Sequence, residues 1–313
     1  MRAFVFPGQG AQVIGMGKAL AEAYPASAAV FEEVDEALGE KLSALIWEGE
    51  AEELTLTANA QPALMATSMA AMRALEAEGV EVTAAKYVAG HSLGEYSALC
   101  AAGCLTLADT ARLLRTRGKA MQAAVPVGEG AMAAILGLDF DAVEAVAKDA
   151  SENGVCQAAN DNDPSQVVIS GTKACVEAAC EIAKERGAKR AMLLPVSAPF
   201  HSELMGPAAE VMARALAEVD MVNPKVPLVT NVLAHATSNP TTIRSLLVEQ
   251  VTGRVRWRES VQFMAHEGVT EIWEIGAGKA LSGMIRRIDK EVATRAVGTP
   301  DEVTAAVESL NEE

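Results

Sequence analysis

Aromatic side chains make up only 4% of the sequence, and cations are outnumbered, with 26 Lys and Arg against 42 Asp and Glu. The resulting net charge of −16 argues against broad binding to nucleic acid or to an anionic membrane surface, while leaving room for a local basic patch. Cysteines are few: Cys100, Cys104, Cys156, Cys175 and Cys180. None forms a CxxC pair, and no Cys/His cluster has zinc-ligand spacing. An odd count with no leader points to reduced thiols. No apolar stretch is long and uninterrupted enough to span a bilayer, and the chain starts directly in the apolar run Arg2 to Phe6 without a signal-peptide layout. Cytoplasm is the expected compartment.

What remains is ordinary globular composition, half hydrophobic and 22% charged, in 313 residues. That is enough for one large domain or two modest ones. Residues 2–6 read as a buried strand ended by Pro7-Gly8-Gln9-Gly10. Helical patterns follow around 16–23, 26–38 and 60–78, then a strand near 86–89, a helix from Glu95 and another from Asp109 to Gln122. Strands alternating with helices imply a parallel sheet covered on both faces.

From about 128 to 198 the rhythm changes. Ala131 to Leu138 reads as a strand, Asp141 to Glu152 as a helix, and Val155 to Asn160 and Gln166 to Ser170 as two strands joined by a turn at Asp161-Asn162-Asp163-Pro164. A helix over Thr172 to Arg186 and a strand over Arg190 to Val196 complete the order β-α-β-β-α-β, that of a ferredoxin-like unit. The expected organisation is α/β: an α/β-hydrolase-like large domain with a parallel sheet (1–127 and 199–313) and an inserted ferredoxin-like small domain (128–198). The last dozen residues are acidic and are expected to fray.

Gly90-His91-Ser92-Leu93-Gly94 matches G-x-S-x-G. A preceding apolar strand and a following helix give it the strand–turn–helix setting of a nucleophile elbow, whose sharp bend tolerates no side chain at the glycines. The motif without that setting would be a plain glycine-rich turn. With it, Ser92 projects at a helix N-terminus, where backbone N–H groups face a developing oxyanion. The Leu93 N–H is one expected donor. The second is the Gln9 N–H, from a glycine-flanked loop after an early strand.

Four histidines compete for the role of base. His91 sits inside the elbow as a prop, and His235 and His266 lie in polar surroundings. His201, directly after the last small-domain strand, re-enters the large domain beside the cleft. Position and elimination both select it. No acid stands out to orient it, and a main-chain carbonyl accepting from Nδ1–H can do so, which makes a Ser-His dyad the simpler expectation.

At this point the motifs FPGQG (6–10), QPAL (61–64), GHSLGEYSAL (90–99), MxxAVPxGxGAMAAI (121–135), QVVISG (166–171) and PVSAPFHS (195–202) fall in one order. Together they closely resemble the malonyl-CoA:acyl-carrier-protein transacylase family of bacterial fatty-acid synthesis, over essentially the whole chain. The resemblance implies Ser92 as nucleophile, His201 as base, Gln9 and Leu93 as oxyanion donors, and Arg117 as the carboxylate-binding arginine. It also implies that the Gln250 main-chain carbonyl holds the imidazole and that Asn160 and Asn231 are structural positions near the pocket. Gly276-Ala277-Gly278-Lys279 departs conservatively from the family's GPGK turn. Malonyl-CoA and acyl carrier protein are the implied substrate and partner, and no cofactor is needed.

By spacing alone Arg117 reads as one more solvated charge on a helix carrying Arg112, Arg115 and Lys119. Chemistry favours the other reading, because a guanidinium pairs with the malonyl carboxylate through two parallel hydrogen bonds, whereas acetyl would leave it unpaired. Phe200, bulky beside the base, is expected to exclude a methyl-branched malonyl. Lys189, Arg190, Arg286 and Arg287 either frame the docking site for an acidic carrier protein or are scattered solubilising charge. The rival readings are a serine thioesterase or esterase on the same elbow, a polyketide acyltransferase, and a silent scaffold.

Overall fold

The computed structural model of the chain describes residues 1–196 and 198–311; Ser197, in the PVSAPFHS motif, and residues 312 and 313 of the acidic end lie outside them. Among the described residues, ten strands form two sheets. In chain order they are β1 (Arg2–Phe6), β2 (Ala85–Gly90), β3 (Gly130–Leu136), β4 (Cys156–Asp163), β5 (Gln166–Thr172), β6 (Arg190–Leu193), β7 (Leu228–Val229), β8 (Ala236–Thr237), β9 (Glu271–Ile275) and β10 (Ala293–Val297).

The larger sheet has the order β10-β9-β1-β2-β7-β8 and is parallel except for β8, which returns antiparallel to β7. Its central strand β1 is apolar because both faces are covered, and Ala3 to Phe6 are fully buried. Parallel register sets Phe6 against Gly90, so the loops leaving β1 and β2 emerge side by side. The helix Thr57–Ala77 lies under this point and is buried along most of its length.

The smaller sheet, of order β4-β5-β3-β6, is antiparallel throughout. Alternation along its strands gives it two apolar faces. Ala133, Ile135, Val167 and Ile169 pack under the helices Phe140–Asp149 and Lys173–Glu185, while Met132, Ala134 and Val168 turn toward the large unit and join its core. All five cysteines are free and buried.

Three details differ from the sequence reading. Asp161 to Asp163, expected in a turn, belong to β4, and only Pro164 and Ser165 turn. Tertiary partners override the local turn preference here. The Asp161 N–H donates to Val255 O at 2.9 Å and the Val255 N–H to Ala159 O at 2.8 Å. The two carboxylates are paired as well, Asp161 with Arg258 and Asp163 with Arg287, each at 2.8 Å. Second, β6 stops at Leu193 instead of Val196. Third, the acidic end is helical over Pro300–Asn311, with Val303 and Ala306 buried against the core.

Candidate active site

Ser92 occupies the bend between β2 and the helix Gly94–Ala101 with φ of 54°, a left-handed conformation that is costly for a residue with a Cβ. The flanking glycines are required by contact. A Cβ on Gly90 would meet the Gly94 carbonyl at 2.0 Å, and one on Gly94 would meet Phe6 O at 2.2 Å. Asn231 holds the bend from outside, accepting from the Ser92 N–H at 2.8 Å and donating to Gly90 O at 2.6 Å. The loop after β1 packs directly on the elbow, since a Cβ on Gly8 would lie 2.7 Å from His91 O. Gln9, Ser92 and Leu93 therefore border one cavity of about 470 Å³. Among the described residues, nothing accepts from the Gln9 or Leu93 main-chain N–H.

His201 lies with Nε2 2.8 Å from Ser92 Oγ. Its Nδ1 faces two main-chain carbonyls, Gln250 O at 2.9 Å and Gly253 O at 3.1 Å. Carbonyls only accept, so Nδ1 carries the proton and Nε2 is left as the acceptor for the serine hydroxyl. Burial, reinforced by the nearby Arg117 charge, lowers the imidazole from its ordinary 6.5 to about 3, and the ring is neutral throughout the physiological range.

Arg117 is only 1% exposed. It donates to Gln61 Oε1 at 2.7 Å, to Gln250 Oε1 at 2.8 Å and to Ser92 Oγ at 3.2 Å, with its guanidinium over the Tyr96 ring. Its Nε–H is buried, and among the described residues no acceptor meets it in hydrogen-bond geometry. The other cations of its helix, Leu107–Ala123, point elsewhere, Arg112 pairing with Asp109 and Arg115 with Glu40. The sequence did carry a signal for this: Arg117 falls on the buried stripe of Leu113, Leu114 and Met121 at helical spacing.

Phe200 and Asn160 line the same cavity. Asn231 lies beneath it in the network already described. His91 is held by Asn162, Nε2 to Oδ1 at 2.8 Å, while His235 and His266 are exposed. Lys189, Arg190, Arg286 and Arg287 lie outside the cavity and are exposed.

Sequence reasoning missed the polar support beneath the site. Gln61 fixes Arg117, Asn162 fixes His91, and Glu95, 1% exposed, accepts from Gln250 Nε2 at 2.6 Å. A glutamate among apolar residues in the turn after the nucleophile was the available clue. Among the described residues no group of three or more His, Cys, Asp or Glu could hold a metal ion, and no helix is long and apolar enough to cross a membrane.

An imidazole-linked serine at a strained bend, with free backbone donors and a buried cation beside it, is equipped for acyl transfer. The acyl transferase domain family matches residues 3–278. The malonyl CoA-acyl carrier protein transacylase of Bacillus subtilis is 50% identical over 99% of this chain and 98% of its own. The crystal structure of an acyl-carrier-protein-S-malonyltransferase from Bartonella henselae superposes with a TM-score of 0.97 at 58% identity, covering 99% of each chain. A malonyl-transacylase solved in complex with its type II PKS acyl-carrier protein gives 0.96 at 42% identity, over 98% of this chain and 99% of the other. The chain belongs to the acyl transferase family, among the malonyl-CoA:acyl-carrier-protein transacylases.

Proposed function

We propose that the protein transfers malonyl from malonyl-CoA to the phosphopantetheine thiol of an acyl carrier protein through an ester on Ser92. The observation that carries this reading is a buried guanidinium 3.2 Å from the oxygen of a Ser-His pair. His201 Nε2 takes the hydroxyl proton as Oγ attacks the thioester carbonyl. The Gln9 and Leu93 N–H groups receive the oxyanion, and the CoA thiolate leaves with the proton returned by His201. The carrier thiol then attacks the seryl ester by the reverse route, a ping-pong cycle. Arg117, which lines the cavity beside Ser92, pairs with the malonyl carboxylate. Phe200 limits the room for a methyl branch, and Gln250 O fixes the imidazole. Asn231 braces the elbow, and Asn160 helps to shape the pocket wall. No step calls for a metal, nucleotide or flavin, and cytoplasm is the fitting compartment.

The finer architecture follows the same reading. A parallel sheet whose second strand ends in the elbow supports an α/β-hydrolase-like large domain (1–127 and 199–313). The order β4-β5-β3-β6 supports a ferredoxin-like small domain (128–198).

Carrier docking fits the end of the small sheet. Asp163, Gln166, Leu136 and Arg190 form one cross-strand row, with Arg287 bonded to Asp163 at its far end. Three strand spacings put the ends of that row about 14 Å apart. Lys189 adjoins Arg190, and Arg286 and Arg287 follow two and three residues after Met284, which lines the cavity. The relative solved with a type II PKS carrier favours a second reading of the partner alone, a polyketide carrier protein, with the chemistry unchanged.

Intact-protein mass spectrometry after mixing with malonyl-CoA tests the proposal. A malonyl adduct should map to Ser92 and vanish in Ser92→Ala. Arg117→Ala should load malonyl poorly and gain relative activity toward acetyl-CoA, whereas a general esterase would be indifferent. A wild-type enzyme that forms no adduct on Ser92 overturns the reading.

A further inference from the structure

We infer that Glu95 is a positioning residue that sets the orientation of the Gln250 side-chain amide and, through it, the aim of Arg117 at the substrate carboxylate. This rests on the transacylase reading above.

Gln250 joins three parts of the site. Its main-chain carbonyl accepts from His201, and its side-chain oxygen accepts from Arg117 at 2.8 Å. Its Nε2 faces Glu95 Oε2 at 2.6 Å, Ser92 O at 2.9 Å and Asn231 Oδ1 at 3.3 Å. An ionised carboxylate has nothing to donate, so it demands the NH2 end of the amide. The oxygen end must then face Arg117, an obligate donor. A flipped amide would present N–H groups to the guanidinium and leave Glu95 buried against an oxygen. The Ser92 carbonyl favours the same orientation, but it is uncharged and farther away, so Glu95 supplies the stronger constraint.

The placement of Glu95 also needs an explanation. It lies in the first turn of the elbow helix, accepts weakly from the Asn231 N–H at 3.4 Å, and among the described residues joins no ion pair. A buried carboxylate without a cation is costly, so a purely structural position would be better filled by an amide.

Burial raises the Glu95 carboxyl from 4.5 to about 7, opposed first by the Gln250 hydrogen bond and least by the Arg117 charge. Of the elements packed against its helix, Leu107–Ala123 presents Arg117. The charged groups of β2 and of Thr57–Ala77 turn elsewhere, Lys86 and Tyr87 toward Glu267 and Arg73 toward Glu76. On β1, Arg2 pairs with Glu271. Tyr96 on the same helix is pushed up by burial, His201 is held neutral down to about 3, and burial lowers His91, whose ring is held by Asn162. Protonated Glu95 can donate as well as accept, so the strongest constraint on the amide is lost and only the Ser92 carbonyl and Arg117 itself still hold its orientation. With the aim of Arg117 loosened in this way, malonyl loading falls as pH drops through about 7. His201 is not the cause, since it stays neutral down to about 3.

The test is single-turnover loading of malonyl-CoA and acetyl-CoA onto Ser92, read by mass, for wild type and Glu95→Gln from about pH 5.5 to about pH 8.5. Expected are an inflection near neutrality for malonyl and none for acetyl in the wild type. Glu95→Gln should give a flat malonyl profile and a malonyl-to-acetyl ratio lowered about tenfold, with a melting temperature no lower than wild type. An unchanged ratio and profile in the variant overturns the role of Glu95, as does a wild-type malonyl rate that rises with acid. The wild-type profiles decide the matter if the variant does not fold. A wild-type ester with no change in the variant removes only Glu95, whereas no ester at all removes the transacylase reading and this inference with it.

Discussion

At the scale of single residues, the site consists of groups held in unfavourable states by their neighbours. Ser92 and His201 both adopt positive φ, and His201 is kept neutral by burial and Arg117. The latter has a thermodynamic signature. In the unfolded chain the imidazole takes up a proton below 6.5, but in the folded chain it does so only near 3. Its contribution to stability is therefore complete above 6.5 and lost as pH falls through that interval. Urea titrations should show wild-type stability declining there with a slope that includes about 1.4 kcal/mol per pH unit from this one proton. His201→Gln should lack that component, and equal slopes would contradict the buried neutral ring. Ser92 and His201 were legible in the sequence because an elbow has a local signature and few histidines compete. Gln61 and Glu95 were not, since what makes them matter is which buried donor or acceptor they meet across the fold.

At the scale of elements, the elbow is fixed by backbone contact between the ends of β1 and β2. Gly94→Ala would drive a methyl group into Phe6 O, an atom that cannot move without shifting the central strand. A loss of about 3 kcal/mol or more is expected in chemical denaturation, together with loss of acyl loading. Stability within about 0.5 kcal/mol of wild type would show that the strand ends can separate. The glycine spacing made this element readable from the sequence. β4 was the opposite case: Asp, Asn and Pro in a row state a turn locally, and only Val255, Arg258 and Arg287, far along the chain, hold those residues extended.

At the scale of the whole molecule, an acidic enzyme must receive an acidic carrier. Charge reversal tests the docking face best at Arg190 and Arg286, because Arg287 also neutralises the buried Asp163 and its loss would be felt in the fold. Arg190→Glu with Arg286→Glu should raise KM for the carrier protein about tenfold, spare KM for malonyl-CoA, and show less effect in high salt. An unchanged carrier KM would assign these cations to solubility. The order of strands and helices was largely visible in the sequence, but where the two sheets meet was not, because the joining ion pairs leave no periodic trace.

Beyond the shared core, one margin of the small sheet is also tied to the large unit by polar contacts. β4 is hydrogen-bonded to Val255 and carries both Asp161 and Asp163 to their arginines, while β6, at the opposite edge, has exposed Met192 and Leu193. Opening the cleft along the β4 margin would therefore have to break a main-chain pairing and two ion pairs of buried carboxylates.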